Sequence, residues 1–221
     1  MDAEMRQAFW VYTQVCRRLE MPIRKTFETE YLNSWAEYYF YAAGAKRCSG
    51  SNDFPPKRIY LAWHQPEAPR LMAWIARLGA LTLLAQQARW MVDLMGEGNT
   101  LLFRSRGSLA RLMRSLKGGQ PVACMFDYCY AETASVDAMF LGFSSRTPSG
   151  LLTLAARFGY ELVLVSYLDG DARIVATVDA AGQPPKELAS LINHHLQQQI
   201  LRDPSRWLLW PSLNSRWSAQ A

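Results

Sequence analysis

The stretch Arg58-Ile59-Tyr60-Leu61-Ala62-Trp63-His64-Gln65-Pro66-Glu67 decides how this chain is read. Its first six residues form an apolar, aromatic-rich run with the composition of a buried strand. Gln65-Pro66-Glu67 then reads as a helix start, with proline where a missing N–H costs nothing and an acid in the first turn. His64 therefore falls at a strand-to-helix junction. In an open α/β sheet such a junction lies at the carboxyl end of a strand, where ligands bind. An imidazole held there takes a proton near neutral pH, which makes His64 the first candidate for acid–base chemistry. Its plainer role is that of a hydrogen-bonded structural histidine.

Outward from this junction, strand and helix patterns alternate. Upstream, helical composition runs from about Ala3 to Glu20, ended by Met21-Pro22, and again from Thr26 to Ala43, stopped by Gly44. Phe27, Tyr31, Trp35, Tyr38 and Tyr39 recur at helical spacing in the second, a stripe that reads as core packing. A polar loop spans Lys46 to Lys57. Downstream, the spacing predicts a helix from Pro66 to about Leu78, a strand at Ala80–Leu84, a helix through Met91 and a strand at Thr100–Phe103. A helix at Ser108–Leu116, closed by Gly118-Gly119, leads to the buried strand Pro121–Phe126. After an irregular stretch to Ala134 come a strand near Ala138–Phe143 and a helix from Pro148 to Phe158. The strand Glu161–Tyr167 turns at Asp169-Gly170 into the return strand Ala172–Val178. A long helix, Glu187–Leu201, and an aromatic tail follow. This order predicts an α/β fold, a mixed and mostly parallel sheet flanked by helices with one antiparallel pair. It predicts one domain over residues 1–221, with 1–45 a helical N-terminal extension packed on it.

Composition narrows the function classes. Half of the 221 residues are hydrophobic and the net charge is +5, a modest excess that favours acidic partners. Cys16, Cys48, Cys124 and Cys129 form neither a CxxC pair nor a zinc-finger spacing, and a reduced cytosolic state is expected. Asp2, Glu4 and Arg6 interrupt any apolar leader, and no run approaches 18 apolar residues. The expected location is cytoplasmic, with peripheral contact at the inner membrane as the variant. No Walker loop, GxGxxG or GxSxG appears, which argues against nucleotide-dependent and serine-hydrolase chemistry. Scattered Lys and Arg without a recognition motif argue against nucleic acid. His194 and His195 are adjacent on a helix and point apart, so they make no metal pair, and no metal site is expected.

Several segments together resemble the lipid A biosynthesis acyltransferase family, a branch of the lysophospholipid acyltransferase-like superfamily. Ile59–His64 and the following helix are similar to that family's strand, catalytic histidine and helix. Leu109–Gly119 resembles its helix and Leu-Lys-x-Gly lead into the next strand, and Pro121–Asp127 its strand ending in an acid. Phe140-Leu141-Gly142-Phe143 with Thr147-Pro148-Ser149-Gly150 resembles its Phe-x-Gly and Thr-x-x-Gly segment. His195–Ile200, Arg202-Asp203-Pro204 and Trp207–Trp210 resemble its closing signature. The likeness covers about Pro56 to Trp210. The family places a carboxylate five positions after its histidine, where this chain has Pro69. Pro211-Ser212-Leu213 likewise replaces the family's basic tail.

The resemblance implies an acyltransferase that moves an acyl group from a thioester to a hydroxyl or amine. His64 would be the general base, with Glu67, the nearest acid on the following helix, as its orienter. Arg104 and Arg106, between a strand and a helix start, would grip phosphate of the substrate, and Asp127 would face the ligand. No cofactor would be bound. The donor would be acyl-phosphopantetheine, on an acyl carrier protein or as acyl-CoA, and an acidic carrier suits the basic charge. The alternative, resting on Pro69, is a non-catalytic protein of this fold that binds an acyl carrier protein or assembly partner.

Overall fold

The computed structural model describes residues 2–44, 55–77, 82–85, 91–92, 100–103 and 107–218. Two helices, α1 (Asp2–Arg18) and α2 (Phe27–Ala43), precede the first strand. Then come β1 (Arg58–Ala62), α3 (Ala68–Arg77), β2 (Thr82–Ala85), β3 (Thr100–Phe103), α4 (Ser108–Lys117) and β4 (Val122–Met125). A hairpin of β5 (Ser135–Phe140) and β6 (Phe143–Pro148) leads into α5 (Gly150–Phe158). The chain continues through β7 (Glu161–Leu168), β8 (Asp171–Asp179) and α6 (Pro185–Arg202). It closes with the short helix α7 (Trp210–Leu213), flanked by 3-10 turns at Pro204–Arg206 and Asn214–Arg216.

The main sheet has the order β3-β2-β4-β1-β7-β8. Every neighbouring pair is parallel except β7–β8, so the protein is mixed α/β with a mostly parallel sheet flanked by helices. Alternation along β1 explains why its sequence is apolar throughout. Ile59 and Leu61 enter one buried cluster, and Tyr60 and Ala62 enter the other. A parallel strand covered on both faces has no solvent side to make polar. One face is covered by α1, α4, α5 and α6 through residues such as Val11, Leu112, Leu152 and Ile192. The other is covered by α3 through Leu71, Met72 and Ile75.

The aromatic stripe of α2 holds only in part. Phe27 and Tyr31 are buried, with Phe27 stacked on Tyr12 of α1 at a centroid distance of 4.0 Å. The Tyr31 hydroxyl donates to the Leu208 carbonyl at 2.8 Å, but Tyr39 is mostly exposed. Among the described residues no helix is long and apolar enough to cross a membrane.

The turn at Asp169-Gly170 stands as the sequence predicts, with both residues at positive φ (51° and 84°). The strand expected near Ala138–Phe143 forms as β5 but starts earlier, at Ser135, and ends at Phe140. Leu141 (φ 51°) and Gly142 (φ 83°) make a hairpin turn, and the polar segment Phe143–Pro148 pairs back onto β5 as a second strand. The predicted helix start at Pro148 moves accordingly to Gly150. The polar composition of β6 hid it. Predicted segments at 45–54, 78–81 and 86–90 lie outside the described residues.

Gly142 also meets a neighbour. A Cβ there would lie 2.7 Å from Arg18 Cγ and 3.1 Å from Leu19 Cδ2. Arg18 donates from Nε to the Gly142 carbonyl at 3.0 Å, so the turn and the end of α1 are locked together. Gly142→Ala combines a left-handed backbone with this overlap and should cost about 1–3 kcal/mol, measured as a lowered urea midpoint at unchanged slope.

Candidate active site

The register of the two central strands builds the site. Ala62 of β1 pairs with Met125 of β4, and the Phe126 N–H donates to the Ala62 carbonyl at 2.9 Å. Carrying that register two residues past both strands brings His64 beside Asp127 at the carboxyl edge of the sheet. Their contact has two parts. His64 Nδ1 lies 2.7 Å from Asp127 Oδ1, and the His64 backbone N–H donates to Asp127 Oδ2 at 2.8 Å.

Neighbouring residues hold His64 from the other side. β1 lies between β4 and β7, and while His64 meets Asp127 on the β4 side, Trp63 and Gln65 bond to residues of β7. Trp63 Nε1 donates to Ser166 Oγ at 3.2 Å, and Gln65 Oε1 accepts from the Tyr167 N–H at 3.3 Å. The His64 carbonyl accepts from the Leu208 N–H at 3.0 Å. Its backbone is thereby tied on both flanks.

Asp127 is a charge in the interior, with no exposed side-chain surface. Trp207 Nε1 adds a 2.8 Å bond to Oδ2, so the carboxylate accepts three N–H donors. Arg216 Nη1 donates to the Asp127 carbonyl at 2.8 Å. Burial works against the Asp127 anion, but the adjoining His64 charge and these hydrogen bonds outweigh it and hold its pKa below the ordinary carboxylate value. At His64 burial opposes the imidazolium, while the Asp127 charge and hydrogen bond prevail and raise the pKa. The donors favour an ionised Asp127, so Nδ1 carries the proton and Nε2 keeps its lone pair. Among the described residues Nε2 has no hydrogen-bond partner, and the His64 side chain is 30% exposed. This arrangement can accept a proton from a group arriving at the sheet edge.

The pair also links stability to pH. The raised His64 contributes stability below its unfolded pKa, lost as pH rises through the folded value. The depressed Asp127 contributes above its unfolded pKa, lost as pH falls through the folded value.

The structure redistributes the residues singled out from sequence. Glu67 is not the partner of His64: its Oε1 pairs with Arg206, which also reaches Glu37 at 3.1 Å. Glu67 Oε2 is buried without a hydrogen-bond partner among the described residues. Burial pushes the Glu67 carboxyl above the usual range, with Arg206 pulling it back. Sharing a helix face was the argument for Glu67, but Glu67 precedes α3 and its acid turns toward α2 and the C-terminal segment, while the loop after β4 supplies the carboxylate. Asp127, expected to face a ligand, is instead sealed beneath His64 and positions the imidazole. Pro69 is buried in α3. Arg104 and Arg106 lie outside the described residues. His194 and His195 have ring centroids 5.6 Å apart, and Gln198 bonds His194 Nε2 at 3.1 Å.

Two residues that bear on the site were not legible as such. Trp207 reads as packing, and it is packed, at 5.7 Å edge-on to Phe140, but its indole N–H is spent on Asp127. Arg216 lies in a tail with no motif, and only its burial and its bond to residue 127 reveal it.

The chain matches no protein-family model, and no curated protein is significantly similar to it.

Asp127→Asn should lower the His64 pKa, because burial then acts without the opposing anion, whereas Glu67→Gln should leave it in place. Titrating the imidazole by NMR measures both, and an unmoved His64 in Asp127→Asn would remove the carboxylate from its control.

Proposed function

We propose that the protein is a thioester-dependent acyltransferase of the lysophospholipid acyltransferase-like fold, with His64 as general base. The observation that supports this most is a partly exposed imidazole at the carboxyl edge of a mostly parallel sheet, its Nδ1 on Asp127 and its Nε2 without a hydrogen-bond partner among the described residues. The segment likeness to lipid A biosynthesis acyltransferases supplies the reaction class. In this reading the acceptor's O–H or N–H gives its proton to Nε2 as the heteroatom attacks the thioester carbonyl carbon. The tetrahedral intermediate collapses with cleavage of the C–S bond, and the imidazolium returns the proton to the leaving thiolate. Asp127 stabilises the imidazolium without taking its proton.

The donor is an acyl-phosphopantetheine thioester, on an acyl carrier protein or as acyl-CoA, with no bound cofactor. Arg104 and Arg106 follow the carboxyl end of β3 in sequence and are the candidates for its phosphate. The proposed location is cytoplasmic, with peripheral contact at the inner membrane. The non-catalytic alternative drew its support from Pro69 in place of the expected carboxylate. Asp127 supplies a carboxylate to Nδ1 by another route, so that support falls away.

Single-turnover transfer followed by intact-mass spectrometry tests the reading, with a panel of acyl-carrier and acyl-CoA thioesters and small amine or hydroxyl acceptors. His64→Ala should lower the rate about 10²–10⁴-fold. The wild-type rate should rise with pH through a value above the ordinary histidine pKa of 6.5, since only neutral His64 accepts a proton. Equal turnover by wild type and His64→Ala would end the assignment.

A further inference from the structure

Arg216 is an expensive residue for this fold to keep. It is 3% exposed, and burying a guanidinium costs several kcal/mol unless its donors are matched. The acceptors it receives are main-chain carbonyls: Nη1 donates to Asp127 at 2.8 Å and Nε donates to Arg146 at 3.1 Å. Its guanidinium lies over the Phe140 ring, 4.9 Å from the centroid. The titratable and charged groups around it are Asp127, Cys129 and Arg146.

These contacts join three segments that nothing in the main sheet connects. Asp127 begins the irregular segment after β4, Phe140 and Arg146 stand on the two strands of the separate hairpin, and Arg216 closes a 3-10 turn near the C-terminus. The turn itself is anchored independently. Trp217 stacks on Phe143 at 4.2 Å, and the Ser218 N–H donates to the Ser144 carbonyl at 2.9 Å. The hairpin would therefore hold the tail without Arg216, so stapling the tail does not account for the buried charge. What Arg216 adds is the link from that tail to the backbone of Asp127.

We infer that Arg216 is a positioning residue for the His64–Asp127 pair: its fork sets the Asp127 backbone against the hairpin so that the carboxylate stays in line with Nδ1. Residue 127 lies two residues past the last strand residue, Met125, where no ladder partner fixes its backbone. Its carboxylate meets a single ring nitrogen, and a small rotation of the peptide would swing Oδ1 away from it. The His64 backbone N–H and the Trp207 indole N–H restrain the other oxygen, Oδ2, but not the carbonyl. Arg216 restrains the carbonyl, and Arg146, the second acceptor, fixes the direction of the fork.

The inference rests on His64 being the working base, but its test reads the imidazole and not turnover, so the two readings fail separately. Arg216→Met removes the fork and Arg216→Lys keeps the charge with a single donor head that cannot span both carbonyls in the same geometry. In each folded variant the His64 pKa is measured by NMR titration, together with the downfield Nδ1–H resonance of the carboxylate-bonded ring. Arg216→Met should lower the His64 pKa toward the Asp127→Asn value and weaken the downfield resonance. Arg216→Lys should fall between Arg216→Met and wild type. A wild-type titration and resonance in either folded variant would overturn the inference. A raised His64 pKa would also overturn it, since that is the response to losing a nearby cation while the Asp127 contact stays intact. If Arg216→Met does not fold, Arg216→Lys alone decides by the same criteria.

Discussion

An ionised carboxylate buried beneath a strand end sets most of what surrounds it. Asp127 has no exposed side-chain surface, and a carboxylate in that setting is tolerated only when charge or N–H donors replace the lost water. Three N–H donors meet it, from the His64 ring, the His64 backbone and the Trp207 indole. Each donor comes with a demand on the chain. The first two require β1 and β4 to be adjacent and in register, and the third requires the C-terminal segment to fold back across the sheet edge.

The C-terminal segment does more than deliver one tryptophan. Arg206, Trp207 and Leu208 are consecutive, and they take Glu67, Asp127 and the His64 carbonyl in turn. One short run thereby closes both acids near the histidine and fixes the histidine's own backbone. Glu67 and Glu37 share Arg206, which ties α2 to the loop that carries His64. The N-terminal helices and the C-terminal tail therefore meet at the same place. Their aromatic contacts, such as Tyr12 edge-on to Trp210 at 5.4 Å, continue that junction into the core.

The contrast between Glu67 and Asp127 is instructive about where a histidine finds its partner. Glu67, three residues on, is close in sequence, but it stands in the turn before α3 and its acid faces Arg206. A residue 63 positions away is closer in space because parallel pairing preserves the offset along both strands. Pro69 in place of an acid thus leaves the imidazole with a carboxylate. The chemistry argued for this site depends on that substitution of partner, and on Nε2 remaining open at the sheet edge.

Much of the frame was legible from local signals. The continuous apolar run of β1, the Asp169-Gly170 turn, the glycine after α2 and the helix of α4 each follow from the chemistry of a few neighbouring residues. The candidate histidine was legible for the same reason, since a strand-to-helix junction is a local pattern. The β5–β6 hairpin was not, because Phe143–Pro148 is too polar to read as a strand until its partner is present. The roles of Asp127, Trp207 and Arg216 were beyond reach for a deeper reason. Side-chain type says what a group can donate or accept, and sequence by itself determined that His64, an acid and several donors exist. Which acid meets which nitrogen depends on strand order, register and the path of the tail. Those are set by packing across the whole sheet, and only the tertiary structure decided them.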